Sequence, residues 1–241
     1  MSPQGVQSAR RRLVGRSSRP AQGTASSGAV KPLPTIPNAV DQQFRSAATT
    51  DLSITPATTP QDGDIIILAI FCQSDTDVIS TPSDFVEIDT ASIVNTGGDL
   101  RAYLFMKLAN GESGPYTCGK TGTEGSTLSL LVTVRGAEYP PTDTVTINAS
   151  TGGARTNAVL PAVTTTVGSS ILLYICGFRG PGYSATPATG YTELIDTTSI
   201  NPPNAEVAVK AQWAPTTTSA GTITKSGAST DIVYHIPLSP A

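Results

Sequence analysis

The chain has a single histidine, His235, which stands in the apolar stretch DIVYHIPL near the C-terminus. A Ser/His/Asp triad would have to be built around this residue, and no serine lies in a nucleophile-elbow motif. Zinc sites of the usual kinds need several histidines or clustered cysteines, but Cys72, Cys118 and Cys176 are far apart in sequence. We therefore predict no metal centre and no cofactor, and interpret His235 as a strand residue and the cysteines as small hydrophobic residues.

Carboxylates are the remaining candidates for catalysis. Glu87 and Asp89 alternate along one segment, and Glu193 and Asp196 occupy the corresponding place in a later one. A glycosidase needs two carboxyl groups about 5–10 Å apart across a cleft, and residues i and i+2 of a strand satisfy that distance. Because the pattern occurs in both halves of the chain, solvated strand positions are the simpler interpretation. We predict that the protein is not an enzyme.

An unbroken apolar run, IIILAIFC at residues 65–72, lies between the turn residues DGD and QSD. A bilayer span needs about 20 apolar residues, and three successive isoleucines disfavour a helix because they are β-branched. A short apolar run between turns is typical of a strand buried on both faces. We expect neither a transmembrane segment nor a signal peptide, since no apolar stretch of the required length follows Arg10-Arg11-Arg12.

The body of the chain contains a tandem duplication. ATTPQDGDIIILAIF (57–71) returns 105 positions later as AVTTTVGSSILLYIC (162–176), and TPSDFVEIDTASI (81–93) returns as TPATGYTELIDTTSI (186–200). Self-similarity of this kind indicates two copies of one supersecondary unit. We place repeat one at about 52–136, a linker with a strand of its own at 137–158, and repeat two at about 159–238. One pseudo-symmetric domain is favoured over two small sandwiches.

Short strands with regular turns dominate each copy. In the first copy we predict strands at 52–55, 65–71, 85–89, 100–108 and 128–134, with a weak strand near Tyr116. LRAYLFMKLA (100–109), aligned with EVAVKAQWAP (206–215), alternates in a way that leaves Phe105 exposed or facing a partner. This pattern predicts an all-β fold, an antiparallel β-sandwich of the jelly-roll-like kind.

Charge separates residues 1–40 from the body. The first 40 residues hold six basic residues and no acidic one, whereas residues 41–241 hold nine basic and eighteen acidic residues. Their Pro/Gly/Ser-rich composition lacks hydrophobic periodicity and predicts an extended arm that needs a partner for a fixed shape. The residues expected to bind that partner are Arg10, Arg11, Arg12, Leu13, Val14, Arg16, Arg19, Leu33 and Ile36.

The arm's arginines suit phosphate, but no aromatic residue accompanies them to stack bases, and the acidic body would repel DNA. We therefore expect a protein partner and not nucleic acid. The arm is expected to lie across another subunit of this chain or of a larger assembly. A homo-oligomer follows, with a trimer as the working hypothesis.

Four motifs together resemble a β-sandwich module of tailed-bacteriophage virion proteins, those described as minor tail, fibre or decoration proteins. They are GD (63–64), TPSDF (81–85), FMKLA (105–109) and VRG (134–136). The resemblance covers about residues 52–238. The chain departs from it at Asp84, where a glycine is usual, and at Ser169, where the second copy should have an acid. These departures concern turn geometry, because the family offers no catalytic residue to carry over.

The resemblance implies a non-enzymatic structural protein of the phage virion, assembled in the host cytoplasm. Its expected place is a minor tail or baseplate-tip accessory subunit, anchored by the arm to other virion proteins and aiding attachment to the host surface. A capsid decoration protein is the alternative location.

A function of another class is a carbohydrate-binding module or an accessory domain of a glycoside hydrolase. Aromatic platforms for sugar would then come from Tyr103, Tyr183, Tyr191 or Trp213. Tyr183, in the loop sequence RGPGYSATP, is the possible glycan contact.

Overall fold

The computed structural model describes residues 31–46, 49–93, 99–122, 125–150, 153–201 and 203–241. All regular structure in these residues is β-strand, and every strand pair is antiparallel, so the all-β prediction is confirmed. No helix in this part of the chain is of the length and apolar character that a membrane crossing requires. The strands are β1 (Asp41–Arg45), β2 (Asp51–Ile54), β3 (Ile65–Cys72), β4 (Val78–Ile79), β5 (Val86–Ile93), β6 (Leu100–Leu108), β7 (Tyr116–Thr121), β8 (Thr127–Val134), β9 (Thr146–Ala149), β10 (Arg155–Leu160), β11 (Ser170–Phe178), β12 (Ala185–Thr186), β13 (Thr192–Asp196), β14 (Asn204–Gln212), β15 (Gly221–Ser229) and β16 (Asp231–Leu238).

The same strand order occurs twice. The first eight strands form a five-stranded sheet, β1-β8-β3-β6-β5, and a three-stranded sheet, β2-β7-β4. The last eight form β9-β16-β11-β14-β13 and β10-β15-β12. Each strand of the first half therefore has a counterpart eight strands later. The expected linker strand is β9, which completes the edge of the second five-stranded sheet.

The pairing within each half follows a jelly roll. β1 pairs with β8, β2 with β7 and β3 with β6, so that the second four strands return along the first four in reverse order. A jelly roll is such a ribbon folded over into two sheets. The fourth pair is missing, because β5 joins β6 at the edge of the large sheet and β4 joins β7.

Three hydrophobic clusters divide the molecule into four layers. One cluster lies between the two five-stranded sheets and draws side chains from both, including Ile65, Ile67 and Leu173. A second fills the sandwich of repeat one with Ile66 and Leu68, and a third fills the sandwich of repeat two. Both faces of each large sheet are thus covered. This explains why every residue of β3 is buried, as its apolar run predicted.

Phe105 corrects one expectation from the alternating pattern of β6. Its side chain is fully buried inside the sandwich of repeat one and is neither exposed nor available to a partner. The three-stranded sheet covers the face that the sequence pattern left open.

The shared core brings one pair of counterparts together. Phe71 of β3 and Gly177 of β11 are counterparts. The pairing of β3 with β8 begins at Ile65 and that of β11 with β16 begins at Ile171, and each of the two residues lies six positions further along. A side chain at Gly177 would collide with the Phe71 ring, so the glycine provides the space that the ring fills. Tyr234 of β16 also contacts Phe71, with 6.4 Å between ring centroids.

Residues 31–40 pack on the body and do not leave it as part of an arm. Thr35 exchanges two backbone hydrogen bonds with Arg135, of 3.0 and 2.8 Å. Leu33 and Ile36 pack against the shared core, and Val40 is buried in it. The arm boundary expected at residue 40 is therefore too late, because burial of these apolar groups favours order.

Among the described residues, two non-glycine residues have a positive φ, Asp84 (65°) and Ser169 (60°), and both are positions where the chain departs from the motifs of the suggested resemblance. Their counterparts are Gly190 (85°) and Gly63 (83°). Each repeat therefore keeps two left-handed turn positions. The counterpart of Ser169 is Gly63 and not the acid that the sequence alignment gave, because that alignment is out of register by one residue here.

Candidate functional site

A cavity of about 530 Å³ opens at one end of the repeat-two sandwich. This volume lies in the range of small-molecule sites. The lining residues come mainly from the β12–β13 turn, from β14 and from the segment that leads into β15. They are Leu160, Ala188, Thr189, Tyr191, Lys210, Gln212, Thr216, Thr218, Ser219, Ala220, Gly221 and Thr222.

Two side chains set the character of this cavity. Tyr191 follows a tight turn closed by its own N–H, which donates to the carbonyl of Ala188 at 3.0 Å. Lys210, on the adjacent strand β14, places its Nζ 5.8 Å from the centroid of the Tyr191 ring. Lys210 makes no ion pair with any residue in the described part of the chain. It is the one charged residue in the lining, and it leaves the cavity cationic.

The buried side chain of His235 lies directly behind the cavity wall, where it contacts the lining residue Tyr191. The Nδ1 of His235 lies 2.7 Å from the carbonyl oxygen of Pro161, which can only accept, so Nδ1 carries a proton. Burial lowers the pKa of His235, which keeps the ring neutral. Its Nε2 then accepts from the Tyr191 hydroxyl at 2.7 Å. The hydroxyl of Tyr191 is therefore committed to the interior, and His235 orients the tyrosine.

A second polar chain runs beside it. The Tyr174 hydroxyl donates to Glu206 Oε1 at 2.8 Å and accepts from the Ala188 N–H at 3.4 Å. Glu206 is fully buried, and burial raises its pKa to about 7 despite this hydrogen bond. Burial likewise raises the pKa of Asp196 to about 6. Perturbed acids of this kind cluster at functional sites, but Glu206 is sealed from solvent and cannot touch a ligand in this arrangement.

Repeat one is apolar where repeat two holds this network. The cross-strand row Leu131–Leu68–Phe105 of repeat one corresponds in register to His235–Tyr174–Ala208 of repeat two. Tyr103 corresponds in the same way to Glu206. The polar network is thus a property of repeat two and is not demanded by the shared fold.

The matching end of repeat one is largely filled by its own side chains. Lys107 corresponds in register to Lys210, and Tyr116 to Gly221. Lys107 lies 2.6 Å from Glu112, and its Nζ is 5.6 Å from the ring centroids of both Phe85 and Tyr116. The remaining cavity is about 210 Å³. Gly221 opens in repeat two the space that a tyrosine ring fills in repeat one.

The residues predicted to form sites lie apart from this cavity. Arg10, Arg11, Arg12, Leu13, Val14, Arg16 and Arg19 lie outside the described residues. Leu33 and Ile36 pack against the chain's own core, so their apolar surface is used within the chain. The partner role expected of the arm stays a prediction.

Tyr183, the possible glycan contact, is on a loop as expected, but its half-buried ring packs against the core of repeat two. It lies against the backbone of Gly180 and Gly227, where any added side chain would collide with it. The aromatic platform for sugar is thus already occupied on these sides. Of the other aromatic candidates, Tyr103 is buried, Trp213 is 69% exposed and Tyr191 lines the cavity.

The repeated carboxylates lie at a shared backbone irregularity. The pairing of β5 with β6 shifts between Glu87 and Asp89, and that of β13 with β14 shifts between Glu193 and Ile195. Glu87 accepts a hydrogen bond from Thr90. The counterpart of Asp89 is Ile195 and not Asp196, so the second acid of the pair is not duplicated.

The three cysteines are free and buried, and burial raises the pKa of the Cys72 and Cys118 thiols to about 12. The described residues contain no group of three or more His, Cys, Asp or Glu side chains that could hold a metal ion.

Sequence reasoning missed the pairing of Lys107 with Lys210 that locates the cavity. The alignment of residues 100–109 with 206–215 is out of register by three, since Arg101 corresponds to Asn204. The alignment of residues 57–71 with 162–176 is likewise out of register, by one residue, since Ile65 corresponds to Ile171. In the corrected alignment YLFMKL (103–108) matches EVAVKA (206–211). The lysine that the two segments share is the feature of the sequence that could have located the cavity.

Comparison with protein-family models, curated proteins and solved structures found no match.

Proposed function

We propose that this chain is a non-enzymatic structural subunit of a phage particle, a minor tail or baseplate accessory protein held in place by its basic N-terminal segment. The sequence resemblance over residues 52–238 suggests this class. The jelly-roll order of both repeats supports it, because jelly rolls are common in viral capsid proteins and lectins.

The observation that carries the proposal is the way residues 31–36 join the body. They lie at the seam between the repeats, where Thr35 pairs with Arg135 after β8, and Lys31 Nζ donates to the Pro240 carbonyl beyond β16 at 3.4 Å. A pulling force on the preceding basic segment would therefore act on both repeats together, because the two repeats share one core. This is the arrangement expected of a subunit attached through its N-terminus.

The test is to look for the protein in particles. Antibodies against the full chain should label particles produced from the genome that encodes it, in immunogold electron microscopy and in immunoblots of purified particles. A full chain with Arg10, Arg11 and Arg12 changed to glutamine should fold normally yet be depleted from particles. Lys210→Gln, a charge loss on the body, is the matched control and should be incorporated normally.

Absence of label from purified particles would refute the proposal. The location follows from the copy number. A few copies at one vertex or at the tail end would support the tail, whereas a copy number close to that of the major capsid subunit would support capsid decoration.

A further inference from the structure

The two repeats differ most where a lysine lies over an aromatic ring. In repeat one, Lys107 is surrounded by three groups of its own chain: the rings of Phe85 and Tyr116 and the carboxylate of Glu112. Glu112 also accepts from the N–H of Asn110 at 2.7 Å, which fixes the carboxylate beside the lysine. Repeat one therefore shows what this position accommodates: a ring next to a carboxylate.

In repeat two, Lys210 keeps one of these three groups, the ring of Tyr191. The second ring is absent because Gly221 stands in the place of Tyr116. No carboxylate among the described residues lies within ion-pair distance of Lys210. The cavity is about 530 Å³ here and about 210 Å³ in repeat one. Repeat two thus offers the volume of a ring beside a cation that lacks a carboxylate partner.

We propose that the repeat-two cavity binds a sugar residue that carries a carboxylate, either as a single acidic sugar or as a unit of an acidic polysaccharide. The pyranose ring occupies the space that Tyr116 fills in repeat one, and its carboxylate takes the position of Glu112. Its carboxylate accepts a charge-assisted hydrogen bond from Lys210, which is stronger than a neutral one.

The cavity wall favours a sugar over an aromatic acid. Thr189, Ser219 and Thr222 line it with hydroxyl groups, and each hydroxyl both donates and accepts. Gln212 uses its Nε2 on the Ala214 carbonyl at 2.9 Å, and its Oε1 can accept from a ligand hydroxyl. The buried side chain of Leu160 supplies apolar surface for the C–H face of a sugar ring.

The buried network holds this wall in shape. Tyr191 is fixed by its hydrogen bond to His235, and the turn at Ala188 by its N–H bond to Tyr174. The ligand therefore meets a preorganised surface, which lowers the entropic cost of binding. Binding here would supply the attachment part of the function proposed above, and it is tested on the purified protein, so its failure leaves the particle assignment untouched.

The experiment is a titration of the full-length protein, followed by calorimetry and by ligand-observed NMR. The probes are methyl α-D-galacturonoside, its carboxyl methyl ester, which has the same ring without the charge, and an oligogalacturonate. The variants are Lys210→Gln, which removes the cation, and Gly221→Tyr, which restores the tyrosine of repeat one. Lys107→Gln is the matched control in repeat one, and circular dichroism checks the folding of each variant.

We expect saturable binding of the galacturonoside, with affinity about tenfold lower for the ester and for Lys210→Gln, because each removes one charge-assisted hydrogen bond. Gly221→Tyr should abolish binding, and Lys107→Gln should leave it unchanged. Tighter binding of the oligomer would identify a polysaccharide unit as the ligand, and equal affinity a single sugar. Absence of saturable binding by the wild-type protein, equal affinity for acid and ester, or normal binding by a folded Gly221→Tyr variant would each overturn the proposal.

Discussion

Two sealed lysine–aspartate pairs, one in each repeat, give a direct test of how the sandwiches are stabilised. Lys120 Nζ lies 2.9 Å from Asp77 Oδ2, and Lys225 Nζ lies 2.7 Å from Asp231 Oδ2. All four side chains are fully buried. The two lysines occupy the same position, since they pair with corresponding residues of β4 and β12.

The surroundings of the two aspartates differ. Asp231 has a second cation, because Arg155 Nη2 lies 3.1 Å from its Oδ1. Asp77 has no second ion pair among the described residues, and its Oδ1 makes no hydrogen bond there. Loss of the lysine therefore leaves Asp77 as a buried charge without a cation, whereas Asp231 keeps Arg155.

We predict that Lys120→Met lowers the free energy of unfolding by about 3–5 kcal/mol, the usual effect of removing one partner of a buried ion pair. Lys225→Met should cost about half as much, because Arg155 remains. The double variant Asp77→Leu/Lys120→Met should regain most of the loss, since an apolar pair of similar size can replace a buried ion pair at little cost.

The assay is urea denaturation followed by circular dichroism, with midpoints compared at unchanged m-value. Equal losses in Lys120→Met and Lys225→Met would refute the role given to Arg155. A double variant no more stable than Lys120→Met would show that the unpaired carboxylate is not the cause of the loss.

Three further predictions concern pH, packing and assembly. Because burial raises the pKa of Glu206 from 4.5 to about 7, its stability contribution is full below about pH 4.5 and is lost as pH rises through 7; the Tm measured by calorimetry should fall across this window, and less so in Glu206→Gln. Gly177→Ala should cost about 1–3 kcal/mol in urea denaturation by displacing the Phe71 ring, with part of the loss recovered in Phe71→Leu/Gly177→Ala. Sedimentation velocity should show self-association that weakens with added salt and in the variant with Arg10, Arg11 and Arg12 changed to glutamine; a monomer under all conditions would contradict the arm model.

The central strand was predictable because its evidence is local. An eight-residue apolar run that begins with three isoleucines and lies between turn residues predicts a strand buried on both faces. Residues 65–72 form such a strand. The positive φ of Asp84 agrees with the glycine expected at that position, whereas Ser169 was expected to replace an acid and instead corresponds to Gly63.

Features that depend on pairing between distant segments were not predictable in the same way. Strand β1 has no apolar run, and its five residues, DQQFR, are held by pairing with β8. The order of residues 31–40 depends on contacts with residue 135 and with the shared core. The Lys107–Lys210 correspondence was hidden because Thr90 and Tyr103 are farther apart in sequence than their counterparts Asp196 and Glu206, which shifts the register of two otherwise similar segments.

The layered architecture explains why the polar network and the larger cavity lie in the outer sandwich of one repeat and not in the shared core. A change in the shared core affects both repeats at once, so its positions stay apolar in both, as with Ile65 and Ile171 or Val134 and Leu238. Among the described residues, each outer cluster consists of side chains from its own repeat. Repeat two can therefore hold the His235–Tyr191 hydrogen bond and the larger cavity, while the corresponding cross-strand row of repeat one, Leu131–Leu68–Phe105, is apolar. A duplicated fold joined through its central sheets thus separates the two tasks: the core holds the body together, and one outer end is left free to acquire a binding site.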